Sequence, residues 1–213
     1  YIWVFCNDRL AYFHAIKSRA SKVLEDVLGH DFDGIGICDF YAAYNVLKKT
    51  QRCLGHLLKD IKKERMVLRG SEILKKFDCM VKEFIRSGLD INQMPKGQEK
   101  QQAADKLRKY LDRIIALKPE RGRMQTLLKR IKKYKDDIFR FVENAQVDYH
   151  NNRAERQLRP NVISRKMSFG SNTEEGAKRI CILNSVIETC KLQKLDPRSE
   201  EHTSELQSQQ VIS

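Results

Sequence analysis

Residues 34–47 read GIGICDFYAAYNVL: a short apolar run stops at a carboxylate and gives way to a segment with Tyr41, Tyr44 and Leu47 spaced for one helical face. An apolar run of this length, 34–38, predicts a buried strand. A carboxylate at its carboxyl end sits where α/β folds commonly carry active-site residues. Asp39 is also a residue type that closes turns and caps helices, so its position alone leaves a ligand reading and a capping reading evenly matched. A strand passing into a helix in this way predicts an α/β class.

Upstream, residues 1–6 and 10–16 are rich in β-branched and aromatic types around Asn7 and Asp8, which predicts a hairpin. Ser21 is placed to cap a helix running to Leu28 and closed by Gly29, with Val23, Leu24, Val27 and Leu28 as its apolar stripe. Downstream, Cys53–His56 reads as a further short strand. From 71 to about 145 the period becomes 3.6. Ile73, Phe77, Met80 and Phe84 belong to one stripe, Leu107, Leu111 and Ile114 to a second, and Leu127, Ile131, Ile138 and Phe141 to a third, which predicts three amphipathic helices. Breaks are expected at 88–97, which holds Pro95, and at 119–122.

The formal net charge is +13, with 41 lysines and arginines against 28 acids, so a polyanion is the natural partner. Six cysteines lie mostly in apolar stretches without a CxxC pair, which reads as reduced, buried thiols in a cytosolic protein. No apolar stretch reaches the ~20 residues that span a bilayer. Gly34-x-Gly36 lacks the third glycine of a dinucleotide fingerprint and lies inside the strand. Cys53 and His56 have no second pair of ligands to complete a zinc site.

The second chemical signal is NNRAERQLRP at 151–160 followed by SRKMSFG at 164–170. Here Glu155 is bracketed by Arg153, Arg156, Arg159, Arg165 and Lys166. On a solvated helix such a Glu would do no more than pair with Arg159 at i,i+4, worth a few tenths of a kcal/mol. Its company suggests more. GIGICDFYAAYNVL, QRCLGHL, HNNRAERQLRP and SRKMSFGSNTEEGA, with SVIETCKLQKLDP at 185–197, closely resemble, in this order and across nearly all of 1–197, the insertion-sequence-66 (IS66) family of DDE transposases.

That resemblance implies an incomplete RNase-H-like (retroviral-integrase-like) α/β core interrupted by a long, mostly helical insertion. Residues 1–70 would form the first part of the core, 71–145 the insertion and 146–197 the last part. It implies two Asp and one Glu holding Mg²⁺ or Mn²⁺ for phosphodiester chemistry, with Asp39 as the second Asp and Glu155 as the Glu. Arg156, Arg159, Arg165 and Lys166 would then lie along DNA. The partners implied are transposon ends and target DNA, with a homo-oligomer possible and a bacterial cytoplasmic, nucleoid-associated setting.

The family's first Asp is expected upstream of YIWVF, since Asp8 is a turn residue in the wrong place. The chain is therefore expected to bind DNA without cleaving it, either as a fragment of an active transposase or as a DNA-binding remnant. QRCLGHL departs from relatives that carry Trp after the Cys, which leaves Cys53 and His56 without an assigned role. The tail from Arg198, RSEEHTSELQSQQVIS, loses all period and resembles an in-frame translation of a short-read sequencing adapter, so 198–213 is set apart from the fold. It holds three glutamates and one arginine, so the charge on the remainder is more positive still.

Overall fold

The computed structural model describes residues 1–119, 122–168 and 173–198, without the side chains at 164 and 166–168. Strands β1 (Ile2–Cys6) and β2 (Ala11–Ala15) precede α1 (Lys22–Leu28), β3 (Gly36–Cys38), a 3₁₀ turn over Ala42–Val46 and β4 (Thr50–Arg52). Six helices follow: α2 (Leu54–Val67), α3 (Glu72–Gln93), α4 (Gln98–Ile115), α5 (Arg123–Lys133), the short α6 (Arg140–Glu143) and α7 (Asn152–Ser168). The series ends with α8 (Glu174–Gln193). The class is mixed α/β, mostly helical with small sheets: β1–β2 and β3–β4 are each two-stranded. The chain divides into two compact units, Tyr1–Ala20 with the segment from Asn152 onward, and Ser21–Asn151. The tail from 199 to 213 lies outside the described residues.

In the first unit, β1 and β2 pair antiparallel with Val4 opposite Phe13. Asn7 makes the turn, its Oδ1 accepting from the amides of Arg9 and Leu10 at 2.8 Å each, as the Asn-Asp pair predicts. Alternation puts Ala11, Phe13 and Ala15 inward, where they form a small core with Cys181 of α8. The edge of β2 that faces away from β1 is closed by that helix. The Phe13 amide donates to Ser185 Oγ (2.9 Å) and the Ala11 amide to Thr189 Oγ1 (3.1 Å), and the Thr189 hydroxyl donates to the Ala11 carbonyl (3.3 Å). The fit is geometric: four helical residues rise ~6 Å, while two strand residues advance ~6.8 Å. Two hydroxyls one turn apart therefore match alternate outward amides, and an edge that would otherwise template pairing is covered.

In the second unit, β3 and β4 run parallel with Ile37 opposite Gln51. The largest core belongs here, built from Leu54, Leu57 and Ile61 of α2, Phe77, Val81 and Phe84 of α3, Leu107, Leu111 and Ile114 of α4, Leu127 and Ile131 of α5, and Phe139 and Phe141. The expected strand at Cys53–His56 is instead the entry to α2, and the strand lies just before it. The third amphipathic stretch is two elements, because α5 stops at Tyr134 and the chain turns before α6. Helix α3 runs straight through Gly88, where a Cβ would collide with the Phe141 ring and meet Val142 Cγ2 at 3.1 Å. That glycine is a packing notch, and the helix ends at Gln93, two residues before Pro95. Tyr41, Tyr44 and Leu47 do share a face, through i→i+3 bonds of a 3₁₀ turn rather than an α-helix. Helix α1 has the predicted bounds and ends at Gly29 (φ 81°), but Ser21 makes no side-chain cap.

Thr189→Val keeps the shape and leaves the buried Ala11 amide without its acceptor. Denaturant unfolding is expected to show a loss of about 1–3 kcal/mol, whereas a change within a few tenths would mean the edge is not held this way.

Candidate functional site

Asp39 follows β3 directly and is half-buried. Its Oδ1 accepts from the Tyr41 amide at 2.8 Å, an Asx turn that fixes the carboxylate, and Oδ2 has no hydrogen-bond partner among the described residues. The loop is held from beneath by Arg52 of β4, whose side chain is 1% exposed. Arg52 Nη1 donates to the carbonyls of Asp39 (2.9 Å) and Tyr41 (3.2 Å), and Nη2 donates to Asn45 Oδ1 (2.6 Å). Asp137 Oδ2 stands 3.7 Å from Nε, and the Tyr134 ring centroid lies 4.5 Å from the guanidinium carbon. The guanidinium thus fixes the backbone on both sides of Phe40, and with it the direction of the Asp39 side chain. Neither Arg52 nor Asp137 stands out in the sequence. The only available signal was a charged residue inside a segment that the topology needs as a strand.

Around this hub the backbone is continuous. The Cys53 amide donates to the Cys38 carbonyl at 2.7 Å, extending the parallel pairing by one bond, and the Leu54 amide donates to the Tyr149 carbonyl at 2.8 Å. Cys53 Sγ accepts from the Asn151 amide at 3.3 Å, and His56 lies in the first turn of α2. Burial pushes the Cys38 thiol up to about 12, with the nearby Arg52 charge opposing the shift.

Glu155 is half-buried in the first turn of α7, where the helix dipole favours an acid. Arg159 is one turn further along the same stripe, and Arg156 is rotated ~100° from it. Arg156, Arg159 and Arg165 are exposed, and the side chain of Lys166 lies outside the described residues. Arg153 forms an ion pair with Asp8 in the hairpin turn, and Asn184 Nδ2 donates to Asn161 Oδ1 at 2.6 Å, joining α8 to α7. Pro160 lies inside α7 and brings no amide for the Arg156 carbonyl. Asp39 and Glu155 belong to different units.

The family model described as "Transposase IS66 family" matches residues 1–179. The chain belongs to the IS66 transposase family. The matched span takes in Asp39, Arg52, Glu155 and all of α7. The uncharacterized protein y4jO of Sinorhizobium fredii is 30% identical over 84 residues, which are 39% of this IS66-family chain and 26% of that relative. The match therefore spans about a quarter of the curated relative's length. No solved structure matches the chain. Among the described residues no helix is long and apolar enough to cross a membrane.

Two outcomes check this geometry. Arg52→Met strips three acceptors and Asp137 of their buried donor, so unfolding should show a loss of about 3–5 kcal/mol; a near-neutral result would refute the role given to the guanidinium. At pH 8 the folded protein should leave Cys38 unalkylated by iodoacetamide while the exposed Cys79 reacts, with Cys38 labelled only after denaturation, as read by mass spectrometry.

Proposed function

We propose that this chain is part of the catalytic core of a DDE-class DNA transposase. In this reading the core is RNase-H-like, residues 71–145 are its helical insertion, and Asp39 and Glu155 are two of the carboxylates that hold Mg²⁺ or Mn²⁺. The observation that carries it is the family match over residues 1–179, which includes both carboxylates and the whole cationic motif around the second. Two hard oxygen donors, one at a strand end and one in a helix's first turn, are the donor type such ions require. Bound there, the metal would activate an attacking water or 3′-hydroxyl and stabilise the leaving oxygen of a phosphodiester.

The chain's own groups have separate tasks in this scheme. The Tyr41 amide holds one oxygen of Asp39 and so presents the other, while Arg52 keeps the loop from turning away. Arg156, Arg159, Arg165 and Lys166 neutralise and position the phosphate backbone of a transposon end, contacts that set register without reading sequence. Target DNA is the second substrate, and a second copy of the chain is the natural protein partner.

The reading is tested on metal and on DNA separately. Titration of the purified chain with Mn²⁺, followed by the electron paramagnetic resonance signal of the free ion, should show binding that Asp39→Asn and Glu155→Gln each weaken at least about ten-fold. Fluorescence anisotropy should show duplex DNA binding that falls steeply with salt. Manganese binding indifferent to both substitutions would sink the metal assignment, and the absence of any duplex binding would sink the transposase reading itself.

A further inference from the structure

Several acids of the helical unit hold its helices together. Asp60 of α2 takes Arg130 at 2.7 Å and Arg123 at 3.5 Å, both from α5. Asp112 of α4 takes Lys135 just beyond α5 at 2.6 Å, and Arg108 of α4 takes Asp136 at 3.2 Å and also Glu143. These bridges leave a surplus of one sign. On α5, Lys129, Lys132 and Lys133 stand at i, i+3 and i+4, on the side opposite the buried Met124, Leu127, Leu128 and Ile131. On α4, Lys106, Lys109 and Arg113 stand opposite the buried Ala104, Leu107, Leu111 and Ile114.

The two helices pack as neighbours, and each carries a row of exposed cations on its side away from the core. Helix α5 contains no acid at all. On α4, Asp105 and Asp112 lie on the flank and are engaged by Gln101 (3.1 Å) and Lys135, and Glu99 sits in the first turn. Lys106, Lys109, Lys129 and Lys132 have no hydrogen bond or ion pair among the described residues. Arg113 and Lys133 lie over the rings of Tyr110 and Tyr134, at 5.5 and 5.1 Å. A helix dipole accounts for lysines in the last turn of α5, but not for Lys106, Lys109 and Lys129.

We propose that the outer face of α4 and α5 is a track for the backbone of duplex DNA, additional to the cations of α7; this rests on the reading of the chain as a DNA-binding transposase. The chemistry of the face selects the partner. A single-strand groove offers open aromatic faces for base stacking, whereas the rings beside these cations, Tyr110 and Tyr134, already carry Arg113 and Lys133 over them. A membrane-surface helix would set exposed apolar residues among its lysines, and this crest has none. Ammonium groups on long, mobile stems suit phosphate oxygens whatever the base sequence.

The test is anisotropy of the full chain on a random-sequence duplex of about 20 base pairs across a salt series. Lys129→Gln/Lys132→Gln/Lys133→Gln should lower the slope of log affinity against log salt by about 2–3 and the affinity at ~0.1 M salt by at least ten-fold, with helix content unchanged by circular dichroism. The matching Lys→Arg triple should keep the wild-type slope, so that a fall in binding cannot be laid to damaged folding. Lys76→Gln/Lys96→Gln/Lys118→Gln removes the same charge elsewhere on the unit and should cost far less. Equal losses from both Gln triples, or an unchanged slope in a wild type that does bind duplex, would overturn the track. So would dependence on these lysines for binding phosphatidylserine vesicles but not duplex. A wild type that binds no duplex would instead sink the underlying transposase reading.

Discussion

A guanidinium buried at the end of a short polar strand is the constraint around which the helical unit is organised. Arg52 is almost wholly removed from water, and its charge is tolerable there only because carbonyls, an amide oxygen, a carboxylate and an aromatic face surround it. Its two strand neighbours follow the same logic. Gln51 is fully buried, donating to the Arg52 carbonyl and accepting from the Phe141 amide, and the Thr50 carbonyl takes Arg140 Nε at 2.9 Å. One three-residue strand thus ties the Asp39 loop on one side to residues 137–141 on the other. A well-packed apolar strand could be as stable, but it could not hold a loop carboxylate in one direction through directed bonds.

This explains which parts of the fold were legible in the amino-acid sequence. Elements whose signal is apolar period were readable: the hairpin, α1, and the stripes of α3, α4 and α5 emerge close to where alternation or the 3.6 spacing puts them. β4 was not readable, because Thr-Gln-Arg carries its burial in polar atoms, and the strand was looked for three residues later among Cys53, Leu54 and their neighbours. Gly88 misleads in the opposite way. It reads as a helix breaker, whereas its missing side chain makes room for Phe141, a partner more than fifty positions away. Long-range complementarity of that sort leaves no local trace. The proposal of Asp39 and Glu155 as ligands rests on an ordered set of motifs, since each in isolation is an ordinary turn or helix-start acid. Arg52, which fixes the first of them, has no motif of its own that hydropathy could reveal.

Charge has been divided along similar lines. Several acids of the helical unit, among them Asp60, Asp112 and Glu143, sit between elements and bridge them, while α4 and α5 each carry a row of cations on the side away from the core. The cations on α4 and α5 inherit the regular spacing of the helices that carry them. The amphipathic pattern that builds the core sets that spacing, so packing and surface field are two results of one periodicity.

The hydroxyl closure of β2 has a consequence in time. Ala11 and Thr189 are 178 positions apart, so a chain emerging from the ribosome makes its hairpin long before the helix that seals it exists. At ~5–20 residues per second the interval is on the order of 10–35 s. Throughout that interval the outward amides of Ala11 and Phe13 face whatever the cell presents, while the whole helical unit is synthesised between hairpin and helix. Nascent-chain exposure is thus written into the order of the elements, because β2 is made well before the helix that secures it.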